Sequence, residues 1–441
     1  MPGTGRGNPA GSSERRTRPS SPLDVPRGIG YRGGMETFQI DRLGHHGDGI
    51  APGPVFAPLT LPGEVVTGTR DGQRLVDIRI DTPSPDRVSP PCRHFRACGG
   101  CSLQHASDAF VTGWKADLVR QALAAQGIAA EISGVVTSPP RSRRRAALSA
   151  RRTKKGALAG FHGRASGVIA EIPDCHLLDP ALMAAIPVAE ALAMAGGSRK
   201  GELTVQATVS AAGLDVLARG GKPLDGPLRL ALAQLAEQMQ LARLAWDDEV
   251  IATRLPPMQH FGRAGVVPPP GAFLQATREG EAALLDAVRH MLDGCRHVAD
   301  LFAGCGTFAL PLAEGAEVHA VEGDRAMTAA LDRGWRQTQG LRRVTHEARD
   351  LFRRPLMAEE LARFDGVVID PPRAGAEAQV AELARSGVPV IAHVSCNPGT
   401  FARDAAQLVA AGYRMGPVTV VDQFRWSAHV ELVADFRLTS A

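Results

Sequence analysis

The sequence lacks the features of an exported or membrane-spanning protein. No run among its 441 residues approaches the roughly 20 apolar residues of a membrane span, and no apolar signal-peptide core is present near Met1. The seven cysteines are an odd number, which disfavours a full set of disulfides and favours reduced thiols or metal ligands. These absences predict a cytoplasmic protein with no membrane partner.

The positive charge is concentrated at the start of the chain. Residues 1–34 hold six arginines and two acids, which accounts for the formal net charge of +4. Because this stretch is also rich in glycine, proline and serine, we predict a disordered basic tail. Met35 stands where ordered-looking sequence begins, so it is a candidate alternative start. The remaining length allows about three domains.

Residues 35–90 alternate short apolar runs with glycine-containing turns. Four runs are predicted as strands, namely Thr37–Ile40, Val55–Ala57, Glu64–Gly68 and Val76–Ile80. Several short strands in so small a segment favour a β-barrel of the oligonucleotide-binding (OB) type. A small β domain that only caps its neighbour is the alternative.

Three cysteines lie within ten residues, and a fourth follows later. Cys92, Cys98 and Cys101 have metal-ligand spacing, and Cys175 is the only other cysteine before the C-terminal third. Structural zinc and cubane clusters both take four thiolates. The three-plus-one layout favours a [4Fe–4S] cluster, with zinc left open as the alternative.

A basic segment follows a helix predicted from about Ser107 to Gln126. Between Arg141 and Lys155 there are eight arginines or lysines and no acids, and the pattern predicts a basic hairpin. Such a run is often only a solvated face. Beside a small barrel, it also suits a surface that contacts the phosphate backbone of RNA.

A strand running into a glycine turn and then a helix marks a cofactor loop around residues 298–308. Gly304 and Gly306 allow the backbone to approach a ligand closely. Ala309 stands where a dinucleotide fingerprint has its third glycine, a tolerated variant, so spacing alone leaves NAD open. Asp300 would repel a pyrophosphate but suits the cationic methionine moiety of S-adenosylmethionine.

Acids follow the next three predicted strands. Glu322 suits two ribose hydroxyls, Asp350 suits adenine, and Asp370 precedes a rigid Pro371-Pro372 turn. Amino-group methyltransferases place an aromatic residue after the prolines. Here Arg373 follows, which disfavours methylation of an exocyclic amine.

Cys396 ends an apolar strand beside this predicted site. Free cysteine is often only a packed core residue. Next to a methyl donor, however, a thiolate can add to carbon 6 of a pyrimidine and make carbon 5 nucleophilic. A base must then remove the carbon 5 proton, and Glu431, at the start of the last strand, is the candidate; His429 is the weaker one. No second cysteine lies near the prolines, so uracil is favoured over cytosine.

Together these motifs resemble the bacterial RNA (uracil-5)-methyltransferase family, in particular its iron–sulfur branch acting on 23S ribosomal RNA. The strings Asp370-Pro-Pro-Arg-Ala-Gly and Ser395-Cys-Asn-Pro carry most of the resemblance. It implies a TRAM domain for residues 35–90, the four cysteines as [4Fe–4S] ligands, Cys396 as nucleophile and Glu431 as base. It also implies pocket or cofactor roles for Gln275, Phe302, Glu322 and Asp370.

The chain departs from this family pattern at three places. The Phe-x-Gln-x-Asn segment ends in Ala276-Thr277, the Asn-Ala pair after Glu322 is absent, and Phe-Pro-His-Thr is replaced by Phe424-Arg-Trp-Ser427. These differences do not change the predicted reaction type, but they bear on which uridine is the target.

The sequence thus predicts a monomeric enzyme with an α/β, Rossmann-like catalytic domain, an OB-like barrel and an α+β central domain. The predicted ranges are 1–34 for the tail, 35–90 for the barrel, 91–262 for the central domain and 263–441 for the methyltransferase. The expected reaction is methylation of carbon 5 of a uridine, with 23S rRNA as the expected partner. The alternatives are the T-loop uridine of tRNA and an RNA-binding protein with a degenerate catalytic domain.

Overall fold

The computed structural model describes residues 34–439. The predicted tail, apart from Gly34, lies outside these described residues, whereas Met35 opens the first strand. A membrane-spanning helix is absent from the described part of the chain.

The first sheet has six strands and closes back on itself. The strands are β1 (Met35–Gln39), β2 (Arg42–Leu43), β3 (Gly49–Ala51), β4 (Val55–Ala57), β5 (Val65–Asp71) and β6 (Arg74–Thr82). Their order is β1-β5-β6-β4-β3-β2. The strands at the two ends of this order, β1 and β2, are consecutive in the chain. The residues between them bond to both sides of the sheet, since Ile40 N–H donates to Glu64 O and Asp41 N–H donates to Ile50 O. All four predicted strands are present, and two short ones were missed.

The second sheet carries the basic segment. After α1 (Asp108–Ala124) and β7 (Ile132–Thr137), its elements are β8 (Arg145–Arg152), β9 (Ala157–His162), β10 (Ile169–Glu171), a 3-10 turn (Pro180–Ala184), α2 (Ala185–Gly196), β11 (Leu203–Ser210), β12 (Gly213–Arg219), α3 (Gly226–Gln238), β13 (Arg243–Trp246) and β14 (Glu249–Thr253). The order is β10-β9-β8-β11-β12-β13-β14, and β8 and β9 form the predicted hairpin. Helices α2 and α3 contribute to one apolar core on this sheet.

The largest sheet holds nine strands. After the short hairpin β15 (Gln259–Phe261) and β16 (Ala264–Val266), its elements are α4 (Arg278–Met291), β17 (His297–Leu301), α5 (Ala309–Leu312), β18 (Glu317–Glu322), α6 (Arg325–Gln337), β19 (Val344–Ala348), α7 (Ala358–Leu361), β20 (Gly366–Ile369), α8 (Glu377–Ser386), β21 (Val390–Ser395), α9 (Pro398–Ala410), β22 (Tyr413–Met415), β23 (Val418–Asp422) and β24 (Glu431–Leu438). The order is β19-β18-β17-β20-β21-β24-β23-β7, and β22 pairs with β24.

The first five strands in this order are parallel, and β24 runs antiparallel to β21. Buried side chains of α4, α5 and α6 share one core, and those of α1, α8 and α9 share another. The predicted α/β architecture of the catalytic part is confirmed. Parallel strands place their carboxyl ends at one edge, and ligands of open α/β sheets bind there.

Two elements from the predicted 91–262 range belong to the catalytic part of the fold, β7 as a strand of its sheet and α1 as a helix packed on it. Strand β7 pairs with β23 in parallel, and Val119 and Leu123 of α1 pack into the core beneath it. Lys115 of α1 is fully buried, and its Nζ donates to Asp422 Oδ1 over 2.5 Å. This ion pair ties α1 to the strand that leads into the loop before Glu431.

The Lys115–Asp422 pair gives a stability prediction. Lys115→Met leaves the Asp422 carboxylate buried without its partner, so we expect the free energy of unfolding to fall by about 3–5 kcal/mol. The double variant Lys115→Met/Asp422→Leu removes both charges and should recover most of that loss. Denaturant unfolding of the two variants measures this. A double variant no more stable than the single one would contradict the account.

Candidate active site

A cavity of about 560 Å³ lies at the carboxyl ends of the parallel strands. Each strand from β17 to β21 has a residue of the cavity wall at its end or within two residues after it; these are Phe302, Glu322, Asp350, Asp370 and Cys396. The fold therefore gathers side chains that are up to 94 positions apart in the sequence, from Phe302 to Cys396, around one space.

Eight of the ten predicted catalytic and cofactor residues line this cavity. They are Gln275, Phe302, Gly304, Glu322, Asp350, Asp370, Cys396 and Glu431. The other two, Asp300 and Gly306, are not among the residues that line it. The weaker candidate, His429, also lines it, as does Arg373.

The glycine loop is held in a conformation that favours glycine. Gly304 has φ +56 with open space where a Cβ would be, and its N–H donates to Glu322 Oε2 over 3.0 Å. Gly306 has φ +96, and a Cβ there would lie 2.9 Å from Leu310, so its role is packing. Phe302 also has a positive φ of 64, an unfavourable conformation for a bulky residue and one that is concentrated at functional sites.

Asp300 is fully buried at the end of β17 and does not reach the cavity wall. Both of its carboxylate oxygens lack a hydrogen-bond partner that meets normal geometry within residues 34–439. Burial, with the nearby charge of Asp370, raises its pKa to about 8. Asp300 is not among the residues that line the cavity, and the Ala309 backbone N–H offsets only part of the effect of burial on its pKa.

Phe302 and Phe352 form an aromatic wall that the sequence analysis did not foresee in full. Their ring centroids are 5.4 Å apart at 55°. Phe352 N–H donates to Asp350 Oδ1 over 3.0 Å, so the acid and the ring sit in one turn. An acid beside two rings suits a flat purine, and the spacing Asp350-x-Phe352 was the available signal.

Two carboxyl groups in the wall have strongly shifted pKa values. Burial raises the pKa of Asp370, and Gln275, whose Nε2 donates to Asp370 Oδ2 over 3.2 Å, works in the opposite direction. Burial also raises the pKa of Glu431, and the Asp370 charge raises it further. Acids that are crowded and poorly compensated in this way favour a cationic ligand.

Cys396 and Glu431 face each other across an antiparallel strand pair. Ser395 of β21 pairs with Leu432 of β24, so the register, continued by one step, sets Cys396 beside Glu431. Burial, followed by the charges of Glu431 and Asp370, raises the pKa of the Cys396 thiol to about 11. A nucleophilic role for this thiol therefore requires the loss of its proton during the attack. Arg373 lowers the pKa of the thiol, but by less than the two acids raise it.

Glu431 and His429 are the two candidates for the base that removes the carbon 5 proton. Burial lowers the pKa of His429, and its ring packs edge-on against Phe424 with centroids 5.5 Å apart. His429 is thus held as part of the wall, while Glu431 is the group placed beside the sulfur. Glu431 also lies on an interior strand, between β21 and β23.

A second cavity, of about 490 Å³, meets the first at Cys396. Its wall shares Arg373, Cys396 and His429 with the first cavity and adds the α1 face, the start of α9 and His45 from the first sheet. No acid is among its lining residues. Cys396 therefore lies between an acidic cavity and one whose lining contains no acid.

The four clustered cysteines are buried and lie near one another. The pKa of Cys101 is raised to about 12, chiefly by burial and then by Cys175, Cys98 and Cys92. Gly100 N–H donates to Cys98 Sγ over 3.3 Å. Within residues 34–439, no group of three or more His, Cys, Asp or Glu side chains has the arrangement of a single-ion site.

The basic segment is divided between the interior and the surface. Arg144 is buried and ion-paired with Glu281, and its Nε donates to the Gln275 carbonyl over 3.0 Å. Arg145 lies 4.4 Å from the Phe273 ring centroid and close enough to Glu431 to act on its pKa. The predicted surface role therefore fails for Arg144, because it supports the pocket wall from within. Arg151, in contrast, is half exposed.

The chain is similar to known RNA methyltransferases. A family model described as tRNA (Uracil-5-)-methyltransferase matches residues 338–434. An uncharacterized RNA methyltransferase of Rhizobium meliloti is 47% identical over 407 residues, covering 90% of this chain and 98% of its own length. The 23S rRNA (uracil(1939)-C(5))-methyltransferase RlmD of Halomonas elongata is 33% identical, covering 98% and 94% respectively.

A solved structure matches over most of the chain. The tRNA (uracil-54, C5)-methyltransferase of Pyrococcus abyssi, in complex with S-adenosyl-L-homocysteine, has a TM-score of 0.69 at 22% identity. The match covers 93% of this chain and 100% of that one. At this identity the likeness shows a common fold.

Proposed function

This chain belongs to the RNA (uracil-5)-methyltransferase family, and from that premise we propose that it methylates carbon 5 of a uridine in 23S rRNA through a covalent adduct on Cys396. The observation that carries the proposal is the position of Cys396, between an acidic cavity and an acid-free one and beside Glu431.

The proposed reaction begins at the sulfur. The Cys396 thiol gives up its proton as it attacks carbon 6 of the uracil, forming a C–S bond and placing negative charge on the ring as an enolate. That proton is released to solvent, so Glu431 stays ionised for the later step. S-adenosylmethionine, bound by the residues of the acidic cavity, supplies the methyl group to carbon 5.

The second half of the reaction restores the ring. Carbon 5 then carries both a methyl group and a hydrogen, and the C–S bond breaks only when that proton is removed. The required base must lie beside the carbon bonded to sulfur. Glu431 occupies that position across the strand pair from Cys396, so we assign it this proton transfer.

The acidic cavity fits the methyl donor. We assign Phe302 and Phe352 to the adenine, Glu322 to the ribose and Asp370 to the sulfonium side. A sulfonium cation would compensate the Asp370 and Glu431 carboxylates, which the protein itself leaves poorly compensated. Gly304 leaves open space where the backbone passes the ligand.

This electrostatic fit predicts proton release on binding. At pH 7 the raised pKa values keep Asp370 and Glu431 partly protonated, and a cation favours their ionised forms. We expect S-adenosylmethionine to release up to about one proton at pH 7 and to bind more weakly as pH falls through the pKa of Asp370. Calorimetry in buffers of different ionisation enthalpy measures this. S-adenosylhomocysteine lacks the sulfonium charge, so equal proton release on its binding would contradict this account.

The RNA path is assigned to the second cavity. A uridine must leave its helix or loop to reach Cys396, and the nucleotides on either side of it must then bind to the protein surface around the thiol. Arg373 and His45 supply positive or neutral groups there without an opposing acid. We propose that the first sheet is a TRAM-type RNA-binding barrel, whose His45 loop forms one side of this path.

The identity of the RNA is tested by mapping. The 33% identical relative from Halomonas elongata is named for 23S rRNA, and this supports the proposed target. Deletion of the gene should remove 5-methyluridine at one position of 23S rRNA and leave the tRNA T-loop unchanged. Loss confined to tRNA would overturn the choice of RNA, and no loss in either would overturn the proposed reaction.

We further propose that Cys92, Cys98, Cys101 and Cys175 hold a [4Fe–4S] cluster. Four buried thiols, a backbone N–H aimed at Cys98 Sγ and the nearby Arg143 and Arg164 suit an anionic thiolate-bound cluster. A bound cluster would supply structural support here, since the methyl transfer needs no electron.

The cluster proposal has a direct chemical test. Anaerobically purified protein should contain about four iron and four sulfide per chain, and Cys175→Ser should lower the iron content at least severalfold. Cys295→Ser, which changes a cysteine outside the group, should leave iron unchanged. Stoichiometric zinc without sulfide would contradict the proposal.

A further inference from the structure

Gln423 is a buried glutamine that neither the motifs nor the proposed reaction uses. It is the first residue after β23 and lies between that strand and the loop that leads to Glu431. Its side chain is 1% exposed, so it does not itself contact a ligand in the cavity. Its neighbours are Gln275, in the cavity wall, and the start of α4.

The hydrogen bonds around Gln423 fix the orientation of two amides. The backbone N–H of Ala276 donates over 2.6 Å, and because a backbone N–H is always a donor, the Gln423 atom there is the oxygen. Gln423 Nε2 must then point the other way, where it donates to Gln275 Oε1 over 2.6 Å. Gln275 is thereby left with its Nε2 towards Asp370, at 3.2 Å.

This arrangement settles which group Gln275 presents to the cavity. One N–H of its amide is directed to Asp370 Oδ2, so this residue of the cavity wall carries its nitrogen, and not its oxygen, on the side of Asp370. A flipped Gln275 amide would instead place its oxygen against the Asp370 carboxylate, which is unfavourable. A uracil carries carbonyl acceptors, so the observed orientation is the productive one for this substrate.

Gln423 also affects the pKa of Glu431, the proposed base. Glu431 is influenced most by burial and next by Asp370, both raising its pKa, and the nearby Gln423 amide lowers it. The other charged or titratable groups that face Glu431 are Arg145 of β8 and Cys396 after β21.

The packing leaves room for a glutamine at this position. A Cβ on Gly280, in the first turn of α4, would lie 2.6 Å from Gln423 Cβ, so the helix approaches Gln423 through a glycine. Thr277 stands where the family pattern has asparagine, and its hydroxyl bonds with Ser138 at 2.7 Å and accepts from Gly280 N–H. The amide beside Gln275 is supplied by Gln423.

We propose that Gln423 is a positioning residue that holds the Gln275 amide with its N–H groups towards Asp370 and the uracil, an inference that rests on the proposed function. It acts through Gln275 and Glu431 and does not touch the substrate.

Two substitutions test the donor and acceptor roles separately. Gln423→Met keeps the length of the side chain but can neither donate nor accept, so methyl transfer should fall at least about tenfold at neutral pH. Gln423→Glu accepts from Ala276 but donates to Gln275 only while its carboxyl is protonated. Its activity should therefore be lost as pH rises through the pKa of the introduced carboxyl.

The measurement is the single-turnover rate of methyl transfer to total RNA from a strain that lacks the gene, between about pH 6 and 9. The wild-type rate should rise with pH as Glu431 ionises, whereas the Gln423→Glu rate should pass through a maximum and decline. Gln379→Met is the matched control, because Gln379 is equally buried and makes two hydrogen bonds with Leu356, away from the cavity.

The outcomes separate this inference from the proposed function. Wild-type protein that adds no methyl group to the RNA would overturn the proposed function. An active wild type, together with Gln423→Met within about twofold of Gln379→Met, or a Gln423→Glu profile that rises like that of the wild type, would overturn the positioning role. If Gln423→Met fails to fold by circular dichroism, the shape of the Gln423→Glu profile still decides.

Discussion

Cys396→Ala is expected to abolish methyl transfer to RNA while leaving S-adenosylmethionine bound. Without a thiolate at carbon 6, carbon 5 of uracil does not become nucleophilic, so the rate should fall by at least about 10,000-fold, as when other covalent nucleophiles are removed. Most of the acidic cavity is built from other residues, so affinity for the methyl donor should stay within about threefold of wild type. Single-turnover transfer and calorimetry measure the two quantities.

Cys295→Ala is the matched control for this prediction. Cys295 is also partly exposed, and burial raises the pKa of its thiol to about 11, as for Cys396. It precedes β17, at the opposite end of the strands from the cavity. The control should keep wild-type activity. Substantial methyl transfer by Cys396→Ala would mean that the reaction does not pass through this thiol.

Glu431→Gln is expected to stop the reaction after the methyl group has moved. The amide cannot remove the proton from carbon 5, so the enzyme should remain bonded through Cys396 to a methylated uridine. Turnover should fall by about 100- to 10,000-fold, the usual range for a lost general base. Denaturing gel electrophoresis with ordinary RNA should then show a protein–RNA complex that contains the transferred methyl group.

The double variant Glu431→Gln/Cys396→Ala serves as the control and should form no such complex. Rapid release of 5-methyluridine product by Glu431→Gln would instead assign the base role to another group. His429 is the neighbour to examine in that case, although its lowered pKa and its contact with Phe424 favour a packing role.

The parallel core of the catalytic sheet could be predicted from the sequence because local signals coincide there. Apolar runs mark β17, β18, β20 and β21, and a glycine, a proline or an acid lies at the end of each or within three residues after it. Residues that follow such strands necessarily meet at one edge. For this reason Glu322, Asp370 and Cys396 could be assigned to one site before their distances were known.

Contacts between distant segments could not be predicted in the same way. Strand β7 pairs with β23 about 285 residues later, and nothing local in residues 132–137 indicates that partner. Lys115 looks like an ordinary polar residue on a helix, yet it is buried against Asp422. Gln423 lies between two recognisable motifs, and its role depends on amide orientations that only the fold creates.

The basic segment shows how composition alone misleads. Eight positive residues suggested one surface, but Arg144, which directly precedes β8, is ion-paired with Glu281. Arg145, the first residue of β8, lies against Phe273. The same run of charge therefore serves both the pocket wall and the exterior.

The most direct test of the central claim is covalent trapping with RNA that contains 5-fluorouridine. Fluorine at carbon 5 cannot leave as a proton, so the adduct should persist after methyl transfer. We predict a complex that forms with wild-type protein only when S-adenosylmethionine is present, resists denaturation and is lost in Cys396→Ala. A complex that survives in Cys396→Ala, or the absence of a complex between wild-type protein and the RNA that contains 5-fluorouridine, would contradict uracil-5 methylation through Cys396.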